Sequence, residues 1–138
     1  MDRANVTVDE VNEFLARDFQ GGSGNGCEAL GPGWAIAVVR PAAANLRPGG
    51  IISGPTVFGL CDAALYYACF TAIGLEPMTL TSEMSIRYLR PAFGEVLRAR
   101  AELVSVGRRS IVGNISAWTD SPDKPVAVCQ GTYVRPPR

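Results

Sequence analysis

Acid–base chemistry in this chain has to be done without imidazole, because none of its 138 residues is histidine. Within one chain that removes Ser-His-Asp and Cys-His nucleophile systems and HExxH zinc sites. Carboxylates remain, and one stands apart: between Pro48 and Leu75 the only charged side chain is Asp62. Its segment, RPGGIISGPTVFGLCDAALYYACFTAIGL from Arg47 to Leu75, reads after Gly54-Pro55 as a helix of about five turns. It is apolar around most of its circumference, and such a helix is expected to be buried on all sides. Burying a carboxylate there is costly unless donors or a partner charge compensate. Asp62 is therefore either a structural hydrogen-bond hub or a functional group.

The four cysteines, Cys27, Cys61, Cys69 and Cys129, form no CxxC pair. Cys61 and Cys69 share roughly one helical face without being close enough to bridge. They read as reduced thiols packed as small hydrophobes, which points to the cytoplasm. The opening MDRANVTVDEVNEF lacks the basic start and apolar run of a secretory signal. Thirteen basic and thirteen acidic residues balance, so there is no electrostatic footprint for nucleic acid and no polybasic membrane anchor. The uncharged segment is long enough to suggest a membrane span, but Asp62 near its centre and the Gly54-Pro55 break argue against one. A small molecule is the expected partner.

The length fits one domain spanning residues 1–138. Thr7 and Glu10 make a T-x-x-E capping box ahead of a helix over about residues 8–18, with Val8, Val11, Phe14 and Leu15 on one face. GGSGNG at 21–26 is a flexible turn, not a GxGxxG fingerprint, since Cys27 stands where the third glycine is needed. Residues 27–40 look like two strands around Gly31-Pro32-Gly33, and the run Trp34–Val39 suggests a strand covered on both faces. A proline-flanked loop, PAAANLRPGG, leads into the central helix. Ser53 is a plausible N-cap, Pro55 suits the first turn, and Thr56 has a hydroxyl near the exposed amides. Gly74 is a natural stop. Four strands follow, at 78–90, 95–106, 110–119 and 126–134. In the first, Leu80, Met84, Ile86 and Tyr88 are expected on one side and Thr79, Thr81, Glu83 and Arg87 on the other. The whole describes an α+β domain with a curved antiparallel sheet wrapped around one helix.

A buried helix after a glycine-containing turn, then T-x-E-M-x-I-x-Y-L-R-P, a strand ending in V-G-R and a last strand V-A-V-C-Q-G-T, occurs here in a characteristic order. In that order and spacing the chain resembles the hotdog-fold thioesterases of the PaaI-like group, over residues 27–134, with residues 1–26 as an N-terminal helix and turn. In that family the helix usually starts from His-Gly-Gly, with an acidic residue seven positions after the second glycine. Aligned on the acid, Ser53-Gly54-Pro55 takes the place of His-Gly-Gly, and the resemblance implies that Asp62 would be the catalytic carboxylate. Pro48-Gly49-Gly50 is similar but lies five residues too far upstream.

The resemblance implies an acyl-CoA thioesterase acting on a small or medium acyl group, aromatic ones included. Gly54 would be the oxyanion donor, and Asp62 the general base or the nucleophile. Ser53 and Thr56 would be helix caps and substrate contacts, and Arg90, Arg108 and Arg109 would meet coenzyme A phosphates. Glu83 is a surface residue or faces a partner's helix, and Trp34, Trp118, Tyr66 and Tyr67 are core or interface aromatics. A homo-oligomer, a dimer or a dimer of dimers with sites at the interface, is implied, with no metal and no cofactor beyond the coenzyme A of the substrate. Two departures stand out: Pro55 has no N–H, and Ser53 replaces a ring that could orient substrate. They motivate an alternative, a hotdog module that binds acyl-CoA or a related ligand without hydrolysing it. A purely structural oligomer is a third reading.

Overall fold

The computed structural model describes residues 5–19 and 24–137. Helix α1 (Val8–Asp18) is entered through the expected capping box: Glu10 N–H donates to Thr7 Oγ1 and Thr7 N–H to Glu10 Oε1, each at 3.1 Å. Of the turn expected at 21–26, residues 21–23 lie outside the described residues. Strands β1 (Asn25–Gly31) and β2 (Trp34–Val39) follow as an antiparallel pair. What reads as a plain loop holds a 3₁₀ turn at Ala43–Asn45 and a two-residue ribbon, β3 (Leu46–Arg47) with β4 (Ile51–Ile52). Then come helix α2 (Gly54–Ile73) and strands β5 (Leu80–Tyr88), β6 (Leu97–Val106), β7 (Ser110–Trp118) and β8 (Ala127–Val134).

Six strands form one antiparallel sheet in the order β1-β2-β6-β7-β8-β5, curved around α2. Strand β5 is thus carried to the far edge, beside the last strand. The inner face is built of small residues. Ala35, Ala37, Ala99, Ala101, Ala117 and Ala127 are all fully buried, so the helix backbone can approach closely. At the middle of the sheet Gly113 and Gly131 are register partners, and Leu65 of α2 occupies the space above them. A Cβ on Gly113 would lie 2.5 Å from Leu65 Cδ1, and one on Gly131 would strike Leu65 and Met84. Ser53 caps α2, and Gly74 ends it at φ 84°, a conformation that side chains rarely adopt.

Three expectations are corrected. First, Trp34–Val39 is not covered on both faces. Ala35 and Ala37 are buried, while Trp34, Ile36 and Val38 are half-buried on the outer face, where the Arg100 guanidinium lies 4.4 Å from the Trp34 ring centroid.

Second, α2 is not buried all round. It is long and apolar enough to cross a membrane by length and composition, and its C-terminal half is sunk in the core, but Pro55, Phe58, Gly59, Asp62 and Ala63 form an open stripe. These positions recur at helical spacing on the side the sheet does not reach.

Third, β5 does not alternate strictly. Thr81 pairs with Tyr133 and Glu83 with Thr132, leaving Ser82 as a bulge residue. The bulge lets Thr81 and Met84, of opposite parity, both turn toward α2.

Replacing Gly113 by alanine tests how tightly helix and sheet are fitted. The added methyl meets buried Leu65 and the Glu102 carbonyl oxygen at 3.1 Å, and overpacking of this kind costs about 1–3 kcal/mol. Urea unfolding should report that loss with an unchanged denaturant slope.

Candidate active site

Asp62 sits on the open stripe, half-buried, two turns into α2. One carboxylate oxygen takes two hydroxyl donors. Thr81 Oγ1 of β5 donates to Asp62 Oδ1 at 2.7 Å, and the Tyr133 phenol of β8 donates to the same atom at 2.6 Å and to the Asp62 carbonyl oxygen at 3.1 Å. Oδ2 accepts no hydrogen bond from a described residue. No salt bridge among the described residues involves Asp62. Its polar partners are therefore neutral hydroxyls.

Beside it opens a cavity of about 290 Å³. Leu15 of α1 and Phe19 just past it form one wall, Asp62, Tyr66 and Tyr67 of α2 another, and Pro77, Thr79, Thr81 and Tyr133 close the sheet side. The aromatic wall is packed as a unit: Tyr66 stacks on Tyr133 with centroids 5.6 Å apart, and Phe19 meets Tyr66 edge-on at 6.4 Å. Tyr66 donates to the Pro77 carbonyl and Tyr67 to Asn25 Oδ1. Thr79 Oγ1 is buried with no hydrogen-bond partner among the described residues, and it borders this chamber.

Several other titratable groups nearby are pushed toward their neutral forms, while the Cys129 thiol is lowered by its hydrogen bond with Cys61. Burial pushes the Tyr66 phenol up to about 12 and the Cys69 thiol up to about 12. Burial, then the negative charge of Asp62, raises Tyr133 further. Cys61 is pushed up by its hydrogen bond with Cys129 and by burial. A thiol so shifted is a poor nucleophile. Among the described residues, no group of three or more His, Cys, Asp or Glu could hold a metal ion.

The start of α2 is a separate construction. Ser53 Oγ lies 2.7 Å from Thr56 Oγ1 and accepts from Thr56 N–H at 3.3 Å. Asn45 Nδ2 reaches Thr56 Oγ1 at 3.3 Å. Of the first-turn amides, Thr56 and Val57 are taken by Ser53, and Pro55 has none. Gly54 N–H has no intrahelical acceptor and is the amide left over, while its carbonyl accepts from Tyr88 OH at 2.9 Å.

The predicted arginines do not converge. Arg90 and Arg47 border a cavity of about 430 Å³ beside Gly54 and Tyr88. Arg108 and Arg109 lie with Arg135 around another, beyond the opposite ends of β7 and β8. The length of β5 between them is about 30 Å. Glu83 is exposed on the outer side of the bulge. Trp118 is buried, as expected.

Sequence reasoning missed Thr81, Tyr133, Thr79 and Arg135. Thr81 was hidden by the bulge at Ser82. Tyr133 did carry a signal: a phenol alternating onto the inner face of a strand needs a polar partner there.

Known proteins extend this picture. The sequence profile described as the thioesterase superfamily matches residues 49–126. A protein of Saccharolobus solfataricus named as a candidate esterase is 30% identical over 94% of this chain and 85% of its own. The crystal structure of a candidate thioesterase from a Silicibacter species superposes with TM-score 0.84 at 30% identity, covering 96% of this chain and 94% of that one. A variant of the phenylacetic acid degradation protein PaaI from Thermus thermophilus gives TM-score 0.70 at 25% identity, over 82% and 94% of the two chains.

Ser53 is fully engaged as a cap, so Ser53→Ala should cost about 1 kcal/mol of stability, read as a lowered thermal midpoint. A midpoint equal to wild type would mean that the Ser53–Thr56 contact is not holding the helix start.

Proposed function

The chain belongs to the thioesterase superfamily, and on that premise we propose that it hydrolyses an acyl-CoA thioester with a small or medium acyl group, aromatic ones included. The observation that carries the reading is Asp62, a half-buried carboxylate with one oxygen unpartnered among the described residues, at the mouth of an aromatic-walled cavity. Water, or the carboxylate itself, attacks the thioester carbonyl. Water supplies the oxygen of the product acid, and the sulfur leaves as the thiol of coenzyme A. As general base Asp62 takes the proton of water; as nucleophile it forms an acyl-enzyme that water then opens. Gly54 N–H, at the positive end of α2, stabilises the developing oxyanion. With no histidine and the nearby Cys61 and Cys69 thiols pushed up, the proposal assigns this work to the carboxylate.

Distance makes oligomerisation part of the proposal. Gly54 and Asp62 are eight residues apart on one helix, about 12 Å along its axis. One thioester carbonyl does not meet both from one protomer. A two-fold dimer with antiparallel α2 helices would bring Gly54 of one copy to Asp62 of the other, twice. The exposed apolar side chains on that side, Phe58, Met78, Leu80 and Tyr88, and the unpaired edge of β5 support such an interface. Two dimers could pair further.

Arg90 and Arg47 near Gly54, and Arg108, Arg109 and Arg135 at the other end, are proposed contacts for coenzyme A phosphates. The Ser53 and Thr56 hydroxyls are engaged with each other, so any substrate contact is secondary to capping. Four buried, unbridged cysteines fit a cytoplasmic location. Neither a cofactor nor a metal enters the proposal. Pro55, which removes one amide from the oxyanion end, favours one other reading, a module that binds acyl-CoA without turnover.

Purified protein assayed for thiol release against short-chain, medium-chain and phenylacetyl-CoA decides between them. Turnover should fall at least about 100-fold in Asp62→Asn. Activity that survives the substitution would remove Asp62 from the chemistry, and saturable binding without thiol release would favour the module. In parallel, light scattering should give a multiple of 14.7 kDa, and Phe58→Glu should yield monomer without turnover. A monomer that hydrolyses at the wild-type rate would sink the composite site.

A further inference from the structure

Resting on the proposed role of Asp62, we infer that Tyr133 is its positioning residue: the buried phenol fixes Oδ1 and the helix backbone together, leaving Oδ2 as the reacting oxygen.

The argument starts from how firmly each donor is held. Thr81 lies on the exposed edge strand next to a bulge, so its hydroxyl is set by an element paired on one side only. Tyr133 is 4% exposed, lies on β8 between β7 and β5, and stacks on Tyr66 at 5.6 Å with the rings 21° apart. Core packing fixes the oxygen of this ring in place. From there its single O–H proton is shared between two acceptors of one residue, Oδ1 at 2.6 Å and the main-chain carbonyl oxygen at 3.1 Å. The carboxylate is thereby referenced to its own helix through a single rigid atom. An aspartate on the open side of a helix otherwise samples several χ1 wells, and misplacement of a reacting group by about 1 Å can cost up to about 100-fold in rate.

The phenol itself is not a proton donor to substrate. Burial and the charge of Asp62 hold it protonated, and its proton is donated to Asp62, so it acts through that carboxylate. That separates it from Tyr88, whose hydroxyl meets the Gly54 carbonyl.

The test is Tyr133→Phe, which removes one oxygen and keeps the stack on Tyr66. With the best substrate of the acyl-CoA panel, kcat should fall about tenfold while KM stays within about twofold and the thermal midpoint moves little. A merely structural role would lower the midpoint and leave kcat of the folded fraction unchanged. A second readout needs no substrate: a hydroxyl proton in so short a bond to a carboxylate exchanges slowly and resonates downfield of the amides in proton NMR. It should be present in wild type and absent in Tyr133→Phe and in Asp62→Ala.

Thr81→Val keeps the inference testable should the phenylalanine variant not fold. The resonance should persist in it, because the Tyr133 phenol keeps its acceptor on Asp62. Wild-type kcat in Tyr133→Phe, a missing resonance in wild type, or loss of the resonance in Thr81→Val would each overturn the assignment. If wild type hydrolyses no thioester of the panel, the functional reading fails while the resonance still reports on the clamp.

Discussion

A polar group on an apolar helix has to be solvated by something, and much of this structure follows from how Asp62 is. The sheet seals most of α2 with alanines and glycines, which have nothing to donate. Solvent reaches the carboxylate from the open stripe and the cavity beside it. The remaining hydrogen bonds come from two hydroxyls on adjacent strands, Thr81 and Tyr133, paired in register across β5 and β8. An unsatisfied buried acceptor would cost about 1–3 kcal/mol, and because both donors meet Oδ1, either one alone still satisfies it. Because they are neutral, they hold Asp62 without adding an opposite charge that would compete for its negative charge.

The bulge at Ser82 is what makes this arrangement possible. Without it, Thr81 and Met84 would face opposite sides of the sheet, and either the hydroxyl or the thioether would be lost from the helix side. With it, Met84 packs over Gly131 while Thr81 reaches the carboxylate. The bulge also lies on the edge strand, where a local break in pairing disturbs one neighbour rather than two.

This explains which parts of the molecule were legible in the sequence. The capping box at Thr7, the Ser53 cap, the Gly74 stop and the alternation in β6 are local signals, and all appear at their predicted places. The Asp62 anomaly was legible because one charge among apolar residues needs no alignment to be seen. What escaped depended on contacts distant in sequence. Strand order put β5 beside β8, and a bulge leaves no compositional mark in T-L-T-S-E-M. The extent of helix burial depended on how far six strands can curve around one helix, which periodicity does not encode. Tyr133 lies 71 residues from Asp62.

The start of α2 shows the same economy, and it bears on the proline. A helix begins with unpaired amides, and an oxyanion site needs at least one of them to stay unpaired. Here Ser53 takes two, through its hydroxyl to Thr56 and its carbonyl to Val57. Proline at position 55 has none to offer. Gly54 N–H is what remains, and its orientation is set by the Ser53 carbonyl of the same peptide plane, which accepts from Thr56 and Val57 N–H. Pro55 therefore does not remove the donor that the proposed chemistry uses. It fixes φ at the next residue and so stiffens the turn that presents that donor. With Asp62 about 12 Å further along the axis, the two ends of α2's open stripe hold complementary halves of one site, an arrangement that a single copy cannot use and two antiparallel copies can.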